Sequence, residues 1–492
     1  MGIIVRQSIF NSLITYAGIG LGFILTILLY PHILSPDEYG LTRVLISVSF
    51  ICSQFAHLGF HNLILRYFPF FKKANPQKHG LLFWALTIPF FGFLLFSVLF
   101  FLFDDLLINY YMEKSPLFVD YYLWVIPFTF FILYFEVLNN YLRSLMDSTT
   151  GSFVNEVVQR VFAIIFLAIY FLEWVDFSTF ILLFVISYSS QPLSILYQIW
   201  QKKEFKIIPN VDILRKPLVK GMVNYSLFSL LGGLTTVLIW NIDVIMLGAM
   251  EGLNSTAIYA IAFYIGSIIT VPQRSIEKIA GPMLSDFIKN KKWADVQSIY
   301  SKTSLNQLIP GLLIFGLVWI NLDMLFMLMP EIYSTGKWVV FIIGIGKLIE
   351  VVTGANGIIL LNSKHYRVSF YTNIILVAVT IAANYLLIPI YGIEGAAVAS
   401  VLALFIFNSV KTIYIWWKLN MQPFSGATVF IVIFGGILIY ICSELIHFNT
   451  VWMNMIFKSM LFSVLFLIPL YKLNISPDLN SLFESTLAKI IK

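Results

Sequence analysis

The sequence predicts an all-α membrane protein with about fourteen transmembrane helices, and three observations carry that expectation. Of the 492 residues, 59% are hydrophobic and only 11% are charged, whereas soluble domains carry roughly 25% charged residues. Apolar runs of about 20 residues, the length that spans the hydrocarbon core as a helix, follow one another almost end to end. The connections between them alternate between acidic and basic. No series of short alternating segments punctuated by turn residues appears, as a membrane β-barrel requires.

Taken in order, the spans fall near 8–34, 42–66, 80–103, 117–142, 153–173, 177–199, 218–247, 255–280, 304–327, 337–361, 367–389, 393–417, 424–446 and 452–471. The first has no evident small-residue cleavage site and is expected to be a retained helix. Cys52 and Cys442 fall inside spans and no CxxC occurs, so neither a disulfide nor a thiolate metal site is expected. Threading from a cytoplasmic N-terminus puts 26 of the 31 Lys and Arg on the cytoplasmic side and both termini in the cytoplasm. Odd-numbered connections carry Asp37–Glu38, Asp104–Asp105, Glu251 and Glu331, while even-numbered ones carry Lys72–Lys73, Lys202–Lys203 and Lys291–Lys292. This is the positive-inside pattern, so the net charge of +6 reflects topology and not nucleic-acid binding.

The longest polar stretches, near 200–217 and 284–303, are too short for a catalytic domain. Four landmarks recur in order at nearly constant offset: Tyr39 with Tyr259, Ile88–Pro89 with Ile309–Pro310, Asn155 with Asn373, and Tyr197 and Trp200 with Tyr414 and Trp417. They suggest two six-helix bundles related by a pseudo-two-fold along the membrane normal, an arrangement found in transporters. The expected division is a lobe over 1–203, a cytoplasmic linker over 204–217, a second lobe over 218–420, and two further helices with a cytoplasmic tail over 421–492. Gly18, Gly20, Gly22 and Gly232–Gly233 serve close helix packing or bending.

The stretch Asn384-Tyr-Leu-Leu-Ile-Pro-Ile-Tyr-Gly-Ile-Glu-Gly-Ala-Ala-Val-Ala-Ser400 reads as a helix, a tight turn through Gly392 and a helix opening on small residues. It strongly resembles the polysaccharide-exporter (Wzx-type flippase) branch of the multidrug/oligosaccharidyl-lipid/polysaccharide superfamily. Asn241-Ile-Asp-Val-Ile-Met-Leu-Gly248, Ile258-Tyr-Ala-Ile-Ala262 and Leu34-Ser-Pro-Asp-Glu-Tyr-Gly40 are similar to further patterns of that family. The resemblance implies two bundles facing a central cavity and alternating access. The implied cargo is an undecaprenyl-diphosphate-linked oligosaccharide, such as a polysaccharide or O-antigen repeat unit, crossing a bacterial inner membrane. Membrane lipids are implied partners, polysaccharide polymerase and glycosyltransferases are candidate protein partners, and no enzymatic activity is implied.

Charges deep in a bilayer cost about 2.5–3.5 kcal/mol on insertion scales and usually face a partner or a wet cavity. The deep set is Glu136, Asp243, Lys347 and Glu350. Glu136, Asn140 and Arg143 share one helical face, either lining a cavity or joining helices. Asp243 has no basic residue within a turn and is the candidate for H+ or Na+ coupling. Lys347 and Glu350 are spaced to neutralise each other. Gln54, His57 and His61 lie on one helical stripe at i, i+3 and i+7; a cavity wall is favoured there over a metal site, since no carboxylate or Cys is near in sequence. A diphosphate is best held by Arg forks, and Arg6, Arg66, Arg143, Arg160 and Arg274 all come near cytoplasmic helix ends, where the positive-inside rule also places them. Arg66 and Arg143 are the foremost candidates.

Gly344-Ile-Gly-Lys347 lacks both the glycine spacing and the Ser/Thr of a phosphate-binding loop, so ATP hydrolysis is not expected. The rival readings are a multidrug or cation antiporter of the same fold and a membrane glycosyltransferase or polysaccharide polymerase. The first calls for more deep carboxylates in the first half, the second for larger external loops.

Overall fold

In the computed structural model, which describes residues 3–74, 80–209, 211, 214–445, 451–481 and 484, every regular element is helical. One compact unit covers Met1–Ala257 and a second covers Ile258–Lys492. The first contains α1 (Ile3–Phe23), α2 (Pro36–Ala56), α3 (Phe60–Ala74), α4 (Leu81–Leu102), α5 (Val125–Ser144), α6 (Gln159–Phe171), α7 (Phe177–Gln201) and α8 (Lys216–Met250). After α9 (Leu253–Ser267), the second contains α10 (Val271–Lys289), α11 (Trp293–Ile320), α12 (Lys337–Val352), α13 (Tyr366–Leu419), α14 (Gly426–Tyr440) and α15 (Val451–Lys472), with short helical pieces between them.

The distribution of apolar surface explains why these helices require a membrane. In α4, Phe90, Phe91, Leu94, Leu95, Val98, Leu99, Phe101 and Leu102 are all exposed, an arrangement that water opposes and lipid accepts. Polar residues run the other way: on α2, Thr42, Ser47, Ser49, Ser53 and Gln54 are buried. The start of α2 is fixed locally. Ser35 caps it, accepting from Glu38 N–H at 3.3 Å while its own N–H donates to Glu38 Oε2 at 2.8 Å, and Pro36 occupies the first turn. The core of the first unit joins Phe60, Ile64 and Phe71 to Leu133, Val137 and Tyr141. In the second, Phe315, Ile431, Phe462 and Phe466 pack together.

Among the described residues, twelve helices are long and apolar enough to cross a membrane, or thirteen if Glu331–Val352 and Asn356–Asn362, bent by 47°, form one crossing. The expected fourteen is reached only when α13 is counted as two crossings. At 1.5 Å per residue its 54 residues would extend about 80 Å, against a hydrocarbon core of about 30 Å. The run is broken at Gly392 (φ 56°, ψ −131°), within the turn that the Asn384–Ser400 pattern predicts. The second expected span is corrected more substantially. It begins at Pro36 instead of residue 42, and its helix stops at Ala56 and resumes at Phe60. Leu58 and Gly59 adopt left-handed conformations (φ 52° and 73°) that no continuous helix contains.

Candidate functional site

The break between α2 and α3 gathers the polar residues of the first unit. Gln54, His57 and His61 do not form the expected stripe on one continuous helix. The break folds the chain so that the two imidazole rings meet, centroids 4.0 Å apart. Gly59 N–H donates to His57 Nδ1 at 3.0 Å. With Nδ1 accepting, His57 is the neutral tautomer that carries its ring proton on Nε2. That nitrogen faces Glu136 Oε2 at 3.6 Å, and Gln54 Nε2 donates to the same oxygen at 3.2 Å.

The Glu136–Asn140–Arg143 face therefore divides. Glu136 turns to Gln54 and His57, while Arg143 donates to Asn140 Oδ1 at 3.0 Å. Gln54 Oε1, His57 Nε2 and His61 Nδ1 are buried and make no hydrogen bond among the described residues. Buried polar atoms are normally satisfied, so this cluster has spare capacity for a ligand or water. No group of three or more His, Cys, Asp and Glu able to hold a metal occurs among the described residues.

α8 closes over this break. A Cβ at Gly59 would collide with the backbone of Ser226, and one at Gly233 with Gln54 Oε1, so glycine at both positions lets the backbones approach. Asn62 Nδ2 donates to Ser229 Oγ at 3.0 Å. Arg66 is exposed, with its guanidinium 4.5 Å from the centroid of the Tyr225 ring. Further along α8, Tyr111 donates to Ile245 O at 2.9 Å. Asp243 is buried on the same helix, 6% exposed.

The arginines differ in what they have left to offer. Among the described residues, no carboxylate lies within ion-pairing distance of Arg66 or Arg143. Arg160, by contrast, pairs with Glu156 at 2.8 Å and donates to Gly18 O, so it ties α6 to α1. Arg274 is exposed on α10. The side chain of Arg6 lies outside the described residues. In the second unit, Lys347 and Glu350 pair at 2.9 Å as their spacing suggests.

Sequence reasoning missed Tyr225, the aromatic platform for Arg66, and the helix break at Gly59, for which a glycine in mid-span was the available signal. It also missed Gln273, Glu277, Gln307 and Lys411 of the second unit.

Residues 4–287, more than half of the chain, match the family model described as polysaccharide biosynthesis protein. The fold matches a structure of the lipid II flippase MurJ in an inward closed conformation, with TM-score 0.73 and 14% identity over 95% of this chain and 100% of that one. It also matches an inward-facing multidrug resistance MATE family transporter of the MOP superfamily, with TM-score 0.61 and 14% identity over 85% of this chain and 98% of that one. A Vibrio cholerae MATE transporter matches at TM-score 0.57 and 12% identity, over 85% and 98% of the two chains. No match was found among the curated proteins. The chain is a multi-pass helical membrane protein with the MurJ and MATE fold, and it belongs to the polysaccharide biosynthesis protein family.

Proposed function

We propose that this chain flips an undecaprenyl-diphosphate-linked oligosaccharide across a bacterial inner membrane by alternating access, from the cytoplasmic to the outer leaflet. The observation that carries this reading is the pair Arg66 and Arg143. Both are exposed, both are held in place, one over the Tyr225 ring and one by Asn140, and neither is neutralised by a described carboxylate. The positive-inside rule accounts for arginine at a helix end, but not for its being oriented and left without a counter-charge. A diphosphate supplies that counter-charge and accepts bidentate hydrogen bonds. The family match and the fold shared with a lipid II flippase support the reading. Coupling to H+ or Na+ is assigned to Asp243, whose carboxylate is buried on α8.

Deleting the protein is expected to strand lipid-linked glycan on the cytoplasmic leaflet while its synthesis continues. Loss of the lipid-linked unit itself would sink the flippase reading in favour of an enzyme. Unchanged glycan with altered resistance to cationic drugs would favour the antiporter. Arg66→Ala with Arg143→Ala removes two charged hydrogen-bonding groups, each worth about 1.5–3 kcal/mol, and is expected to slow flipping by at least tenfold. Asp243→Asn is expected to uncouple flipping from the ion gradient; transport with its full gradient dependence intact would exclude Asp243.

A further inference from the structure

The second unit holds a cluster of four charges that the proposed flipping site does not use. Lys347 and Glu350 lie on α12, Glu277 on α10 and Lys411 in the second half of α13. Glu350 is bonded by Lys347 Nζ at 2.9 Å, and Glu277 Oε1 accepts from Gln273 Nε2 at 2.8 Å. Lys411 is 5% exposed and sits 3.6 Å from the centroid of the Phe407 ring. It is within electrostatic reach of both Glu350 and Glu277, yet no described carboxylate lies at ion-pairing distance from it. One turn before Lys411, Asn408 Oδ1 accepts from Thr353 and Asn356, both at 3.2 Å, which fixes that part of α13 against the end of α12.

Oxygen acceptors collect around these charges without enough donors. Gln273 Oε1 and both polar atoms of Gln307 are buried and unbonded. A Cβ at Gly311 would contact both Val351 and Ile269, and Ser304 Oγ donates to Val352 O. Two carboxylates and the uncapped Gln273 amide oxygen are the hard oxygen donors that a monovalent cation would take.

The charge count decides whether such a cation enters. With Lys347 and Lys411 both ammonium, the cluster is neutral. A further cation would make it net positive in a poorly solvated environment, where an uncompensated charge is strongly disfavoured. Without Lys411 the cluster is net negative, and an added cation restores balance.

We propose that Lys411 is a tethered cation that keeps the Gln273–Glu277–Glu350 cluster closed to free monovalent cations. The cluster takes up Na+ when Lys411 is replaced. Ion coupling is then confined to sites outside this cluster, a conclusion independent of which substrate the chain carries.

The test is thermal unfolding of the purified full chain at constant ionic strength, with Na+ exchanged for N-methylglucamine. Lys411→Met is expected to gain an upward shift in Tm that continues with each tenfold increase in Na+. Combining it with Glu350→Gln, which restores neutrality, is expected to abolish that shift. Lys411→Gln gives the same readings if the methionine variant is not recovered. A folded Lys411 variant with a sodium-independent Tm would overturn the proposal. So would a sodium response of the unmodified chain that Glu277→Gln removes.

Discussion

Gly59→Ala tests the seam between α8 and the broken helix α2–α3 at its tightest point. Gly59 has φ 73°, a conformation that costs an L-residue about 1–2 kcal/mol. Its added methyl would also collide with Ser226 O and lie 2.8 Å from Ser226 C and 3.0 Å from Leu230 N. All three are backbone atoms of α8, so no rotamer change relieves the contact and the helix must retreat. Retreat breaks the Asn62–Ser229 hydrogen bond, worth about 0.5–1.5 kcal/mol, and draws Tyr225 away from Arg66, worth about 0.5–1 kcal/mol at an exposed site. Without the Asn62–Ser229 bond, which the cysteines of the assay remove, the sum is about 2 kcal/mol against the docked conformation, on the order of thirtyfold in population. The assay is disulfide formation between Asn62→Cys and Ser229→Cys in a background lacking Cys52 and Cys442. Gly59→Ala is expected to slow cross-linking by at least tenfold. Gly232→Ala is the control, because a Cβ there meets nothing within 4 Å. Equal cross-linking rates for Gly59→Ala and its parent would refute the claim that this glycine sets the seam.

Three further outcomes follow from the charged groups that are fully engaged. Asp147, outside the spans, accepts from Thr150 N–H at 3.1 Å and pairs with Lys202 at 3.1 Å. Burial works to raise its pKa, but the bonds from Thr150 and Lys202 prevail and hold it below the ordinary carboxylate value. Because the folded pKa is depressed, its stabilisation is present above the unfolded value near 3.9 and is lost as pH falls through the folded value. Asp147→Ala is thus expected to lower Tm at pH 7 and to flatten its decline below about pH 4; a Tm unchanged at pH 7 would contradict this. Lys347→Met leaves the Glu350 carboxylate without its ion partner and is expected to destabilise by about 3–5 kcal/mol, with most of that recovered by adding Glu350→Gln in a double-mutant cycle. Arg160→Ala is expected to lower Tm while leaving flipping per folded molecule unchanged, because its guanidinium is spent on Glu156 and Gly18; a flipping defect at full stability would move Arg160 into the substrate site.

The fold was legible because hydropathy is a property of each residue and its neighbours in sequence. Apolar runs announce themselves, and the turn at Gly392 was visible as a proline and a glycine followed by small residues. The Lys347–Glu350 pair was legible for the same reason, since i, i+3 on a helix is a local relation. The polar cluster at α2–α3 was not. Its reading assumed a continuous helix, and the left-handed residues Leu58 and Gly59 displace His61 from the stripe that spacing predicts. Glu136 likewise prefers partners 82 residues away, as in its bond to Gln54, over its own helix neighbour Asn140. Lys411 stands near the end of its span in sequence, and only the packing of α13 on α12 shows that it is buried.

What separates structural from functional charge in this chain is saturation rather than depth. Asp147, Glu156, Arg160 and Lys347 each form an ion pair that consumes their charge within the protein, whether they lie inside a span or outside it. Arg66 and Arg143 lie near helix ends, where sequence position alone would call them topological, yet each is oriented and keeps its charge available. A guanidinium stacked on a ring or clamped by an amide has already lost most of its rotamer freedom, so an anion that binds it later loses less entropy in doing so. Such preorganisation serves no purpose in a topology signal, which needs only net charge on one side of the membrane. It would serve the proposed diphosphate carrier, which must hold its cargo firmly in one state and release it in another, and the docking of α8 that brings Tyr225 beneath Arg66 would supply a means of doing both. Movement of α8 away from α3 removes the ring and the Asn62–Ser229 bond together, so the same displacement that Gly59→Ala enforces would also loosen the grip of Arg66 on the proposed diphosphate.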